Sequence, residues 1–89
     1  MDRIAFEAEL KTAGYEPVER RMDAEQFNSE HMHEFDARVL LLDGEMTITR
    51  NGKAQVFGPG DVCEIAAGTP HTEQCGPGGA HYLAGRRFK

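Results

Sequence analysis

The chain has 89 residues, of which 15 are acidic and 10 are basic, so that its formal net charge is −5. A net negative chain repels a phosphate backbone, which argues against nucleic acid as a partner. Charged residues interrupt the N-terminus every few positions, and no later apolar run is long enough to cross a bilayer. We therefore expect a cytoplasmic protein without a membrane partner. The small size predicts one domain, residues 1–89, with a thin core that favours a homodimer.

The first predicted element is a short amphipathic helix at about residues 2–13. Asp2 is a residue type that caps helix N-termini, and Phe6 and Leu10 share one helical face. Gly14 can end the helix because glycine adopts the left-handed conformation without strain. The pattern therefore predicts a helix that covers an apolar surface with one side.

From about residue 16 to residue 88 the chain changes to short segments separated by turn residues, which is typical of an all-β protein. Turns are predicted at Asp43 and Gly44 and again at residues 76–79. Asn51 and Gly52 can supply the two positive φ angles of a type I′ turn, so they predict a tight hairpin.

The apolar run at residues 39–42 does not alternate with polar residues. We expect a strand with both faces covered, one inside a barrel and the other by the helix or a second subunit. Two cysteines are too few for a disulfide framework and are expected to be buried thiols. The residues predicted to form the apolar wall of the barrel are Phe35, Val39, Leu41, Met46 and Ile48.

Three histidines are the residues most suggestive of chemistry. His31 and His33 form an H-x-H, and if it lies on a strand, the period of two directs both imidazoles to one face. His71 is distant in sequence and would add a third ring from another strand. Neutral imidazole is the commonest protein ligand for transition metals, and three such ligands leave positions open for water or a small molecule. The trio predicts a metal site.

These residues resemble the two motifs of the cupin superfamily, whose members are small antiparallel β-barrels or jelly rolls. The first motif has the form G-x5-H-x-H-x3,4-E-x6-G and the second the form G-x5-P-x-G-x2-H-x3-N. The matching residues are His31, His33, Gly44, Gly60, Gly68 and His71. The resemblance covers about residues 25–75. It implies a cupin barrel with a divalent transition metal, and it leaves Zn, Fe, Ni, Mn and Cu equally open.

One departure from the first motif concerns the metal directly. Ala37 stands where the family has a metal-binding glutamate, and a methyl group cannot coordinate a metal. If His71 points inward, alternation directs Glu73 inward as well, which makes Glu73 the first candidate for a fourth ligand or, if unligated, a general base. Further candidate ligands are Cys75, Asp36 and Glu34.

Three functions stay open. The first is a small metal-binding cupin that binds an unidentified small molecule, with or without catalysis. The second is an iron-dependent dioxygenase, because three histidines without a glutamate resemble the ligand set of cupin-type thiol dioxygenases and some diketone-cleaving dioxygenases. The third is a non-enzymatic sensor or binding module without metal, in which the histidines bond to one another or to Glu73.

Several other polar residues are interpreted as surface features. Arg38, Arg86 and Arg87 could hold a carboxylate, but Arg86 and Arg87 lie near the end of the chain, where exposed charge is the ordinary explanation. His81 lies outside both motifs and is interpreted as a surface or hydrogen-bonded strand residue. These four residues are left out of the predicted site.

Overall fold

The computed structural model describes residues 1–88, so Lys89, the last residue of the predicted domain, lies outside the described residues. The described part contains one helix and six antiparallel strands. They are α1 Arg3–Thr12, β1 Glu16–Met22, β2 Phe27–His31, β3 Phe35–Arg50, β4 Lys53–Phe57, β5 Val62–Ile65 and β6 His71–Phe88. The all-β fold with a short N-terminal helix is therefore confirmed.

Helix α1 begins and ends as its sequence predicts. The Asp2 carboxylate accepts a hydrogen bond from the backbone N–H of Ala5 at 2.8 Å, which satisfies a donor that the first helical turn leaves free. Gly14 follows the helix with a φ of +80°. Within residues 1–88, no helix combines the length and the apolar character needed to cross a membrane.

Strands β3 and β6 form the centre of a jelly-roll barrel. They run antiparallel along most of their 16 and 18 residues. The first half of β3 also pairs with β5 and the second half with β4, whereas the first half of β6 pairs with β2 and the second with β1. Each long strand therefore belongs to both halves of the barrel.

The halves meet where the backbones of Gly44 and Gly79 approach each other. Both residues have positive φ, +82° and +75°, and a Cβ on Gly44 would collide with the carbonyl oxygen of Gly79. The sequence predicted turns at Asp43–Gly44 and at residues 76–79, but both lie within the long strands. Residues 76–79 form an irregularity opposite Glu45, between the pairs Met46–Cys75 and Gly44–Ala80. Those turn predictions were wrong because a bulged or irregular strand can contain the same residue types as a turn.

The outward faces of β3 and β6 are covered by α1. Leu40 and Leu83 cluster with Phe6 and Leu10, and none of the four is more than 3% exposed. This confirms that both faces of the run at residues 39–42 are covered, the outer one by the helix.

The hairpin between β3 and β4 has the predicted turn, with φ of +52° at Asn51 and +72° at Gly52.

The inward faces of the strands form a second apolar cluster. Both cysteines are free and buried, as expected. Of the predicted wall residues, all are buried except Phe35, which packs against the cluster from its rim. The buried members of the cluster include Val39, Leu41, Met46, Ile48, Cys63 and Cys75.

Candidate metal centre

The three histidines lie at the end of β2, in the segment that follows β2, and at the start of β6. His31 is the last residue of β2 and lies opposite His71, the first residue of β6. His33 lies beyond the end of β2, so the H-x-H is not wholly on a strand as supposed. The carbonyl of His33 accepts a hydrogen bond from Gly68 N–H at 2.9 Å, and its ring stacks on Phe35 with centroids 4.6 Å apart. These two contacts hold the His33 ring beside His31 and His71.

The rings lie close together. Centroid separations are 4.4 Å for His31 and His71, 4.9 Å for His31 and His33, and 5.3 Å for His33 and His71. One nitrogen from each ring can be chosen so that all three atoms lie within 4.8 Å of one another. A single ion placed among them could therefore reach three imidazole ligands.

The hydrogen bonds of two rings direct their other nitrogens to the centre. Nδ1 of His31 lies 2.7 Å from the carbonyl oxygen of Ser29, and Nδ1 of His71 lies 2.9 Å from that of Thr69. Because a carbonyl only accepts, each Nδ1 must carry the proton, which leaves the Nε2 lone pairs free. Nε2 of His71 is buried and has no hydrogen-bond partner within residues 1–88. An unpartnered buried nitrogen is costly to leave, so these residues fit a bound cation.

The charge state of His33 suits the same role. Burial lowers the pKa of His33 below its usual value, and the neighbouring His31 and His71 lower this pKa further, while Glu73 opposes the shift. A lowered pKa favours the neutral ring at neutral pH. Neutral imidazole is the form that binds a metal.

Glu73 lies at the edge of the histidine group. Its carboxylate oxygens are 3.6 Å from Nε2 of His31 and 3.9 Å from Nε2 of His71. Asn28 donates a hydrogen bond to it at 2.9 Å, and its side chain is only 17% exposed. Glu73 thus faces inward, as alternation from His71 indicates. Its role as ligand or base stays a prediction.

The family profile described as a cupin domain matches residues 19–82. The chain belongs to the cupin family. No match was found among the curated proteins.

Solved structures resemble this cupin over most of its length. A protein of unknown function from Rhizobium leguminosarum is 17% identical, with a TM-score of 0.80, covering 86% of this chain and 73% of that one. An RmlC-like cupin from Shewanella frigidimarina is 19% identical, with a TM-score of 0.74 and coverages of 84% and 67%. Bacillus subtilis oxalate decarboxylase, in a structure that concerns its Mn(II) centres, is 22% identical with a TM-score of 0.70, covering 81% of this cupin and 20% of that chain. At these identities the likeness shows the fold.

The other predicted candidates lie outside the histidine group of this cupin. Asp36 accepts a hydrogen bond from Ala67 N–H at 2.9 Å and pairs with Arg87 at 3.2 Å. Glu34 is exposed. Cys75 is inward and buried, and burial raises the pKa of its thiol, with Glu73 adding to the shift. A raised thiol pKa disfavours the thiolate that binds metals.

A cavity of about 210 Å³ adjoins the histidines. His33, His71 and Glu73 lie on its wall, and so does Ala37, the position without a carboxylate. Arg86 also lines it, although the sequence interpretation treated this residue as exposed charge. Alternation along β6 was the signal that could have identified Arg86 as a cavity residue. If Leu83 points to the outer face, residue 86 must point to the inner face.

Proposed function

We propose that this cupin binds a divalent transition metal through His31, His33 and His71 and takes a small molecule into the adjoining cavity. The observation that carries this proposal is the unpartnered Nε2 of buried His71, in a group whose ring nitrogens come within 4.8 Å of one another. When bound, the metal would supply a Lewis-acid centre with positions open to a ligand. Three imidazoles suit Zn, Fe, Ni, Mn and Cu, so the donor set does not choose among them.

Within this proposal, Glu73 is the fourth ligand or a general base. Its oxygens lie 3.6 and 3.9 Å from two Nε2 atoms, so a small movement brings one of them to the centre of the group. The carboxylate would also offset part of the charge of a divalent ion. If it stays unligated, it is placed to accept a proton from a molecule bound in the cavity.

Elemental analysis of the protein purified without added metal tests the site, with His33→Ala as the variant. His81→Ala is the matched control, because His81 pairs with Glu19 at 2.6 Å and belongs neither to the histidine group nor to the cavity wall. We expect stoichiometric metal in the wild type and in the control, and its loss in His33→Ala. A wild type that stays metal-free after incubation with each candidate ion, or a His33→Ala variant that keeps its metal, would contradict the proposal.

Glu73→Gln in the same measurement separates the two roles of Glu73. Glutamine can still accept the hydrogen bond from Asn28 but carries no charge. Weaker metal retention together with a changed visible spectrum of bound Co²⁺ identifies a ligand, whereas weaker retention with an unchanged spectrum reflects the lost charge alone. Unchanged retention leaves the role of base.

The second candidate function is a three-histidine iron-dependent dioxygenase. It is favoured by one observation, that the side chains brought together as possible ligands within residues 1–88 are three histidines without a carboxylate. Oxygen uptake by the iron-loaded protein with a panel of thiols and diketones is the measurement that tests it. Silence across the panel, combined with a thermal shift by a small molecule that is not turned over, would favour a non-enzymatic binding module.

We further propose that the protein is a cytoplasmic homodimer. Large apolar side chains remain on the surface of the single chain, which supports association. They are Met1, Ile4, Phe27, Met32, Val56 and Phe88. Light scattering coupled to size exclusion tests the assembly, and a monomer at micromolar concentration would contradict it.

A further inference from the structure

Arg86 faces the same cavity as the histidines. On β6, Leu83 lies on the outer face beneath α1, so Tyr82, Ala84 and Arg86 face the interior, and all three line the cavity. The Nε of Arg86 is buried and has no hydrogen-bond partner among residues 1–88. A buried guanidinium N–H without an acceptor is costly, so this atom points to a group that the chain itself does not supply.

Aromatic rings hold the guanidinium and connect it to the metal group. Cζ of Arg86 lies 5.8 Å from the ring centroid of Phe35 and 5.9 Å from that of Phe88, within the range of a cation–π contact. The Phe35 ring is also the one that stacks on His33, at 4.6 Å and an interplanar angle of 18°. One aromatic ring therefore separates the guanidinium from a predicted metal ligand.

The neighbours of Arg86 across the sheet do not neutralise it. On β3 its partner is Ala37, whose side chain is a methyl group. On β1 its partner is Glu16, which is exposed and forms no ion pair with Arg86. Arg38 and Arg87, in contrast, are each paired with carboxylates. Among these arginines, Arg86 is the one turned into the cavity without an acid beside it.

We infer that the cavity binds a small carboxylate, with the carboxylate on the Arg86 guanidinium and the rest of the molecule directed toward the three histidines. This inference rests on the proposed function, because the far end of the cavity is the proposed metal site. The planar guanidinium presents parallel N–H donors that match the two oxygens of a carboxylate. A cavity of about 210 Å³ is smaller than those that hold drug-sized ligands, which restricts the occupant to a few carbon atoms.

The charge distribution favours a monocarboxylate over a dianion such as sulfate. Arg20 also lines the cavity and adds positive charge to its wall. Glu73, however, lies on the wall beside the histidines and repels a second negative charge there. A single carboxylate on Arg86, away from Glu73, satisfies the guanidinium without this repulsion.

Acetate is the probe for the first experiment, with acetamide as its neutral isostere and sulfate as the competing anion. The wild type, Arg86→Met and Arg21→Met are loaded with Co²⁺, whose visible spectrum reports both uptake of the ion and changes around it. Arg21→Met is the matched control, because Arg21 is exposed, lies on β1 and does not line the cavity. Affinities for each probe come from spectral titration and from the shift in melting temperature.

We expect acetate to bind the wild type and Arg21→Met equally, and to bind Arg86→Met roughly tenfold to a hundredfold more weakly, since a hydrogen-bonded charge is removed. Equal acetate affinity in Arg86→Met, no acetate binding by the cobalt-loaded wild type, or sulfate and acetamide binding as tightly as acetate would each overturn the inference. Absence of cobalt uptake is a separate result that contradicts the metal site. Acetate titration of the metal-free variants by melting temperature then decides about Arg86 alone.

Ala37→Glu keeps the inference testable if Arg86→Met does not fold. It places a carboxylate of the chain directly across the strand pair from Arg86, where Cβ atoms lie about 5 Å apart. In the metal-free protein we expect acetate binding to be lost, because the new side chain occupies the guanidinium. The metal-free titration decides here, since Ala37 is also the family's ligand position and the new carboxylate could bind cobalt instead. Acetate binding equal to that of the wild type would overturn the inference.

Discussion

The two faces of strand β6 differ in what they bury. On the outer face, Leu83 lies in a closed apolar layer with Leu40 and the helix residues Phe6 and Leu10. On the inner face, the strand begins with His71, whose Nε2 has no partner within residues 1–88, and near its end carries Arg86, whose buried Nε likewise has none. Because neighbouring residues of a strand point to opposite faces, one strand can supply apolar packing on its outer face and polar groups on its inner face.

The energetics of the two faces differ. Burying a leucine or phenylalanine stabilises the fold by about 1.5–3 kcal/mol. Leaving a buried polar group without a partner costs about 1–3 kcal/mol for each group. The outer layer therefore only stabilises the fold, whereas the inner face combines a stabilising apolar cluster with polar groups that cost free energy unless the proposed metal and ligand satisfy them. Substitutions on the two faces are expected to separate stability from binding.

The largest effect on stability is expected from Leu40→Ala, on the outer layer. Leu40 is 1% exposed, and its truncation leaves a cavity between helix and sheet that we expect to cost about 3–5 kcal/mol in the free energy of unfolding. Urea denaturation measures the change. Lys53→Ala is the control, because Lys53 is exposed and its truncation should change stability by less than about 0.5 kcal/mol.

The same variant tests whether the faces are independent. At a temperature where Leu40→Ala remains folded, its metal content should equal that of the wild type, because Leu40 points away from the histidines. Loss of metal by the folded variant would show that the outer layer positions the site, and the separation of the two faces would be wrong.

The sequence predicted best the features that depend on adjacent residues. Asp2 and Gly14 bound the helix as expected, and Asn51 and Gly52 form the expected turn, because capping and positive φ are local requirements. The inward direction of Glu73 also followed from alternation over two residues. The approach of His31 and His71 is not local in sequence, and its prediction therefore depended on the motif resemblance rather than on either residue alone.

Features that depend on strand length and register were missed. His33 lies past the end of β2 and reaches the site through its stacking on Phe35, which no period in the sequence encodes. Arg86 was assigned to the surface because the length of β6, which carries the alternation to residue 86, is set by its pairing with β1 and β3. Long-range pairing decides both positions, and a single sequence contains little information about it.

The second prediction concerns Gly44, where the two halves of the barrel meet. Gly44→Ala places a methyl group against the carbonyl of Gly79, whereas Gly52→Ala has the same positive-φ strain with no atom within 4 Å of the new Cβ. We expect Gly44→Ala to be less stable than Gly52→Ala by about 1–3 kcal/mol, the usual cost of overpacking. Thermal denaturation of the two variants measures the difference. Equal stabilities would show that the close approach of the two strands relaxes easily.

The smallest effect is expected from the titration of His33 in the metal-free protein, on the inner face. Burial and the neighbouring His31 and His71 hold the pKa of His33 below its usual value of 6.5, so the unfolded chain binds a proton on this ring more readily than the folded chain. The free energy of unfolding should therefore fall as the pH falls through about 6.5, and recover as the pH rises again. The effect is small because His33 is partly exposed and water screens its charge. Urea midpoints at about pH 7.5 and about pH 5.5 measure it, and we expect a smaller difference between them in His33→Ala. An identical difference in the variant would mean that protonation of His33 does not contribute to the pH dependence of stability. The inner face would then differ from the outer layer only in its proposed metal binding.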